Sequence, residues 1–283
     1  VDGPPKLRRA GLPPLLTSPS RGRLRGGEAR TPAAETVPSS VPGFAATRTW
    51  IFDLDNTLYP SACNLFAQVD RRMGEFIARL LGVPYPHARH LQKTYYHQFG
   101  TTLAGLMRIH GVAPEAFLDY VHDIDVSAVP EDAALAAAIA ALPGRKLIFT
   151  NGSRRHAERV AERLGVLSLF EDICDIAACD YLPKPSPEAF DRMTARHGVA
   201  AAEAAMFEDM PQNLEVPHAL GMTTVLVHSD YPDHPAQIAA ALWTEPPPYI
   251  HHRTDDLRAF LRGAARPLPA RRDRANRILS KPK

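Results

Sequence analysis

Cysteine is scarce: Cys63, Cys174 and Cys179 are the only three in 283 residues. They form no Cys-x-x-Cys pair and are odd in number, which argues against a disulfide framework or a zinc site and fits a reducing, cytoplasmic setting. No run of eighteen or more apolar residues occurs, so nothing in the sequence is expected to span a membrane, and no membrane partner is expected. The continuous apolar core of a secretory signal is missing from the first segment. Internal repeats are absent as well.

Acid is scarce at both ends. The formal net charge is +2, but residues 1–50 carry +5 and residues 264–283 carry +6, which leaves −9 between them. Both ends are rich in Pro and Arg without a sustained hydrophobic period, and are expected to be disordered basic tails over 1–46 and 263–283. The first is read as an authentic extension, an organellar transit peptide or an over-extended reading frame, and as irrelevant to the chemistry. Basic tails beside aromatics raise a nucleic-acid-binding reading. The acidic middle would repel phosphate backbones and disfavours it.

What is present is an alternating pattern. Thr49 to Leu54 is an apolar, β-branched and aromatic strand running into a turn. From Asn64 to about Ala141 the period becomes helical, with Leu65, Val69, Met73, Phe76, Ile77 and Leu80 recurring at threes and fours. Strands are then expected at 146–150, 172–177, 205–208, 223–227 and 249–251, with helices at 154–164, 187–197 and 211–220 between them. Such alternation predicts an α/β fold, a doubly wound, Rossmann-like parallel sheet covered on both faces. The expected domains are a core over 47–60 and 130–262 and a helical cap over 61–129, inserted after the first strand. Ligands of open α/β sheets bind at the carboxyl ends of the strands.

Polar residues collect at those ends. Asp53 and Asp55 stand two apart after an apolar strand, where alternation sends both side chains to one side. Burying two carboxylates together is costly without a cation. Thr150-Asn151-Gly152-Ser153 offers donors for an anion at a helix start, or an ordinary turn and cap. Lys184 lies between two prolines, either as a fixed cation or as a solvated loop lysine. Glu208 and Asp209 close a strand before Pro211, as a cap or as oxygen ligands for a hard cation.

Asp-x-Asp-x-Thr, Thr-Asn-Gly, Lys-Pro and Glu-Asp follow one another on successive strand ends, and in this order they resemble the haloacid dehalogenase-like (HAD) hydrolases over about 49–261. The resemblance implies a Mg²⁺-dependent phosphomonoesterase with Asp53 as nucleophile, through an aspartyl-phosphate, and Asp55 as acid and then base. It implies Thr150, Asn151 and Lys184 at the phosphate, and Mg²⁺ on Asp53, the Asp55 carbonyl and Asp209 with Glu208 nearby. An acid at position 55 favours phosphate over halide substrates. Many relatives have Asp-Asp where this chain has Glu208-Asp209, which leaves open which acid meets the metal.

Asp53-Leu-Asp-Asn-Thr-Leu-Tyr59 and the Tyr95-Tyr96-His97…Gly100…Gly105-Leu stretch resemble the pyrimidine 5′-nucleotidase branch. The implied substrate is a nucleoside monophosphate, with Tyr95, Tyr96 and His97 available to stack on a base or to pack within their helix. Sugar phosphates and other small phosphate esters are the alternative. Base preference, oligomeric state and pathway do not follow from the sequence.

Overall fold

The first apolar run forms β1, Thr49–Phe52, near the middle of a six-stranded sheet. The structure, a computed structural model, describes residues 41, 43–228, 240 and 242–265. Beside β1 come β2 (Arg145–Phe149), β3 (Asp172–Cys174), β4 (Ala204–Glu208), β5 (Thr223–Val227) and β6 (His252–Thr254). The order across the sheet is β3-β2-β1-β4-β5-β6, and every neighbouring pair is parallel. The chain therefore steps outward from β1 on one side and then crosses back to add β4 on the other. That reversal opens a crevice at the carboxyl ends of β1 and β4.

Strand alternation sends Trp50 and Phe52 into one apolar cluster and Ile51 into another. The first cluster takes in Ile148 and Phe207 together with the buried faces of α5 (Ala133–Ala140), α6 (Arg154–Leu164) and α9 (Leu257–Ala264). The second holds Phe149, Met206 and the inner face of α7 (Pro187–His197). Phe52 stacks on Phe207 with ring centroids 4.7 Å apart. Burying each of these rings contributes roughly 1.5–3 kcal/mol. With both faces apolar and covered, the sheet is doubly wound.

Between β1 and β2 the chain inserts four helices ahead of α5: α1 (Leu65–Leu81), α2 (Tyr85–Phe99), α3 (Thr102–His110) and α4 (Pro114–Val121). Glycines in the left-handed region end α1 at Gly82 and α3 at Gly111. Among the described residues no helix is long and apolar enough to cross a membrane.

Several boundaries differ from the sequence reading. β1 stops at Phe52, because the Leu54 carbonyl turns back to accept from Thr57 and Leu58. β6 lies at 252–254 rather than 249–251, where parallel pairing sets His252 against Val225. The helix expected at 211–220 begins as a 3₁₀ turn, Pro211–Leu214, before α8, Glu215–Ala219. Phe44, within the segment read as an extension, is buried and stacks on Trp50 at 5.4 Å. A single aromatic among Pro, Gly and Ser carries no period, so its place in the core has no signature in the pattern. The Val41 amide bonds the Gly263 carbonyl at 3.2 Å and α9 runs to Ala264, so the inner ends of both expected tails belong to the fold, while residues 1–40, 42 and 266–283 lie outside the described residues.

Candidate active site

Asp53 follows β1 directly, and its amide still bonds the Phe207 carbonyl on β4 at 2.9 Å. The nucleophile candidate is thus anchored by sheet hydrogen bonding although the strand has ended. Lys184 reaches the same point from the loop before α7. Its ammonium donates to Asp53 Oδ1, Glu208 Oε1 and the Phe149 carbonyl, each at 2.7 Å. Only 2% of the lysine is exposed, so the solvated-loop alternative is excluded. Burial pulls the ammonium down, but Asp53 and Glu208 outweigh it and raise its pKa. The lysine is a permanent cation here.

Asn151 locks that loop. Its Oδ1 accepts from the Lys184 amide at 2.8 Å, and its Nδ2 donates to the Lys184 carbonyl at 3.2 Å. Thr150 is buried, and its hydroxyl oxygen accepts from the Gly152 amide at 2.9 Å. A Cβ added to Gly152 would stand 3.3 Å from Thr150 Oγ1, 3.4 Å from His156 Cδ2 and 3.7 Å from Asp55 Oδ2. Three polar side chains therefore converge on the one residue that has no side chain.

Glu208 ends β4 fully buried and accepts from Lys184, from Asn213 Nδ2 at 2.7 Å and from the Met210 amide at 2.9 Å. Asp53, Glu208 and Asp209 each present a carboxylate oxygen within 4.8 Å of the others. Burial first, then the charges of Glu208 and Asp55, push the Asp53 carboxyl up to about 7 despite Lys184. Burial, Glu208 and Asp53 push Asp209 well above the usual carboxylate range. One lysine does not neutralise this cluster. An all-oxygen, buried, over-charged donor set fits a hard divalent cation such as Mg²⁺.

Asp55 is held differently. Tyr59 donates to its Oδ1 at 2.6 Å, and His156 Nε2 lies 2.8 Å from the same oxygen. Burial raises its carboxyl, but His156 and the Tyr59 hydroxyl more than offset this and hold it at about 2. His156 stacks on His122 with centroids 4.5 Å apart and planes 12° from parallel. His122 caps the end of α4 and bonds Ser153 through Nδ1 at 2.9 Å. Burial, then the adjacent His156, push His122 down to about 3.

Neutral His122 has a consequence for stability. Its folded pKa lies below the unfolded value near 6.5, so the unfolded chain takes up this proton first as pH falls. Its stabilising contribution is complete above about pH 6.5 and erodes below, by at most about 1.4 kcal/mol per pH unit. Urea unfolding at pH 7.5 and 5.0 should show a smaller pH difference for His122→Asn than for the wild type. Equal differences in the two proteins would contradict a buried neutral imidazole.

The insertion contributes unequally. Tyr95, a sequence candidate for substrate contact, is buried between α2 and α3 and bonds His110 Nε2 at 2.7 Å. A Cβ on Gly105 would fall 2.5 Å from Tyr95 Cβ, so these helices touch there. Of the two readings of Tyr95, stacking on a base and packing within the insertion, this placement favours packing. Tyr96 is 40% exposed with its ring edge-on to His97 at 5.6 Å. Burial and the charges of Asp209 and Glu208 raise the Tyr96 hydroxyl pKa, which puts this residue within electrostatic range of the acidic cluster. The insertion and core also meet where Tyr181 donates to Glu115 at 2.5 Å. His122, His156 and Asn213 went unnoticed in the sequence, and Tyr59 enters it only through the family resemblance, with no role at Asp55. A histidine on the inward face of a helix that starts at a candidate anion loop was the available signal for His156.

Similarity to known proteins bears on the fold and the family. The phosphate metabolism protein 8 of Saccharomyces cerevisiae (strain ATCC 204508 / S288c) is 26% identical over 202 residues, 64% of this chain and 61% of that protein. The chain thus matches less than two thirds of that relative's length. Among solved structures, CbbY from Rhodobacter sphaeroides in complex with phosphate aligns with a TM-score of 0.52 at 16% identity, covering 74% of this chain and 94% of that one. A HAD phosphatase from Thermococcus onnurineus aligns with a TM-score of 0.50 at 15% identity, covering 73% and 93%. At these identities the structures speak to the fold alone. Residues 47–221 match the haloacid dehalogenase-like hydrolase family, and the chain belongs to it.

Proposed function

We propose that this hydrolase is a Mg²⁺-dependent phosphomonoesterase working through an aspartyl-phosphate on Asp53. The observation that carries the reading is the buried junction of Lys184 with Asp53 and Glu208, with Asp209 in the same cluster. A phosphate dianion repels a carboxylate nucleophile, so the site needs positive charge held in place before the reaction. Lys184 supplies one such charge. Asp53, Asp209 and the Asp55 carbonyl would hold Mg²⁺, with Glu208 bracing the site through Lys184 and Asn213. When bound, the ion supplies charge neutralisation and orientation of the phosphoryl group.

The roles follow from chemistry at these atoms. An Asp53 oxygen bonds to phosphorus as the ester P–O bond breaks, and a proton from the Asp55 carboxyl goes to the departing oxygen. Water then adds to phosphorus, its proton returns to Asp55, and Asp53 is freed as inorganic phosphate leaves. At a pKa of about 2, Asp55 is ionised in the structure as it stands, the form that takes the water's proton. A bound phosphate dianion beside it favours the protonated form needed for the first step. Thr150 and the Asn151 backbone would hold phosphate oxygens at the start of α6.

For the substrate we propose a pyrimidine nucleoside 5′-monophosphate, with sugar phosphates as the second reading. Support comes from Tyr96 and His97, exposed on the insertion and, at Tyr96, within electrostatic range of the acids. The yeast relative's name, phosphate metabolism protein, points to phosphate chemistry without specifying an ester. We also propose that residues 61–129 act as a cap over the site, and that the protein works in the cytoplasm. The test is kcat/KM on UMP, CMP, AMP, glucose 6-phosphate and p-nitrophenyl phosphate with Mg²⁺. Tyr96→Ala and His97→Ala should lower nucleotide turnover about tenfold, as expected for a lost stacking contact, and barely change p-nitrophenyl phosphate. A uniform drop on all five esters would remove the nucleotidase assignment.

A further inference from the structure

His156 is a polar ring with no exposure, and its ring makes one hydrogen bond, to Asp55. Its other nitrogen, Nδ1, has no hydrogen-bond partner among the described residues. A buried imidazole retained for stability alone would normally have both nitrogens satisfied. Here the only polar contact is the one to the candidate acid, and the ring plane is fixed by the stacked His122 on its face. Tyr59 donates to the same Asp55 oxygen, so two donors converge on Oδ1. Asp55 Oδ2 is meanwhile the atom that faces the Gly152 turn.

We infer that His156 is a positioning residue for Asp55: it pins Oδ1, so that Oδ2 is presented to the leaving oxygen of the phosphate ester. The inference rests on the phosphomonoesterase reading and on Asp55 as its acid. Without His156 a single donor, Tyr59, holds Oδ1, the Asp55 carboxylate can swing about that one contact, and the proton is delivered from the wrong place. Phosphoryl transfer then suffers in proportion to how much the leaving group needs that proton. A merely structural histidine would lower every substrate alike.

The full-length protein with Mg²⁺ is assayed on phenyl phosphate and p-nitrophenyl phosphate, similar in shape but different in leaving-group basicity. The readout is kcat/KM, which covers steps up to phosphoryl transfer and not the later hydrolysis. His156→Ala should lower the phenyl-to-p-nitrophenyl ratio about tenfold or more, within the range that loss of general-acid help produces. His156→Gln, whose amide nitrogen can reach the Nε2 position, should restore the ratio. His156→Asn, whose amide stops near Nδ1, should not, and this pair decides the matter should the alanine variant fail to fold. Asp55→Ala run alongside separates the two levels of inference. A shifted ratio in Asp55→Ala with an unshifted ratio in His156→Ala and His156→Asn would overturn the positioning role alone. An unshifted ratio in Asp55→Ala would overturn the acid assignment and this inference with it.

Discussion

Asp53→Asn should reduce turnover of every phosphate ester by about 10⁴-fold or more while leaving the fold intact. The amide keeps the shape of the carboxylate, and the main-chain bond from residue 53 to the Phe207 carbonyl is unaffected. It cannot accept a phosphoryl group. It also removes one of three crowded carboxylates, a buried one whose pKa is raised to about 7 by burial first and then by the charges of Glu208 and Asp55. In chelator, therefore, the variant should unfold at the same temperature as the wild type or higher, while its stabilisation by Mg²⁺ shrinks. Activity surviving in a preparation free of contaminating phosphatase would sink the covalent mechanism. A collapsed melting temperature would instead mean that Asp53 has a structural role that the hydrogen bonds do not indicate.

Lys184→Ala should be costly in two ways at once. Its ammonium is shared by Asp53 and Glu208 at 2.7 Å and is almost fully buried. Taking away one member of a buried ion cluster leaves uncompensated charge, typically about 3–5 kcal/mol. Turnover should fall by a common factor for all esters, because the lost charge faces the phosphate that every substrate shares. Added Mg²⁺ should recover part of the stability, since a ligand that binds only the folded state stabilises it by mass action. Thermal unfolding with and without Mg²⁺, beside a substrate panel, reads both effects. If the losses differed from ester to ester, Lys184 would be acting on the leaving group and the site reading would have to change.

Much of this architecture is legible in the sequence, for identifiable reasons. A buried strand that ends in two acids, or a lysine fixed between prolines, conflicts with its local surroundings, and the conflict marks the site. The strand-helix alternation fixes the sheet because each element is apolar at its own period. His156 escaped because its partner Asp55 lies 101 residues away and histidine in the first turn of a helix is unremarkable locally. For Tyr95 the two readings, stacking or packing, are separated by helix phase. Ala88, Gln92 and Tyr95 are the buried stripe of α2, at steps of four and three, which leaves Tyr96 and His97 on the open side. α9 went unread because its leucines and arginines merge into the basic terminal composition, although Asp256 caps it by accepting from the Ala259 amide.

The central position of β1 sets an order of events during synthesis. Its partner on one side is β2, with Thr49 against Arg145, and on the other β4, with Thr49 against Ala204. The second partner emerges from the ribosome roughly 8–30 s after β1, at about 5–20 residues per second. Until then one edge of the Thr-Trp-Ile-Phe segment is unpaired, and Phe52 lacks the ring of Phe207 on which it later stacks. Such an edge invites association with other nascent chains. The proposed nucleophile thus directly follows a segment that keeps one unpaired edge in the half-made protein. A nascent chain ending before residue 204 should be bound by chaperones that recognise extended apolar segments, and one reaching past residue 209 should escape them.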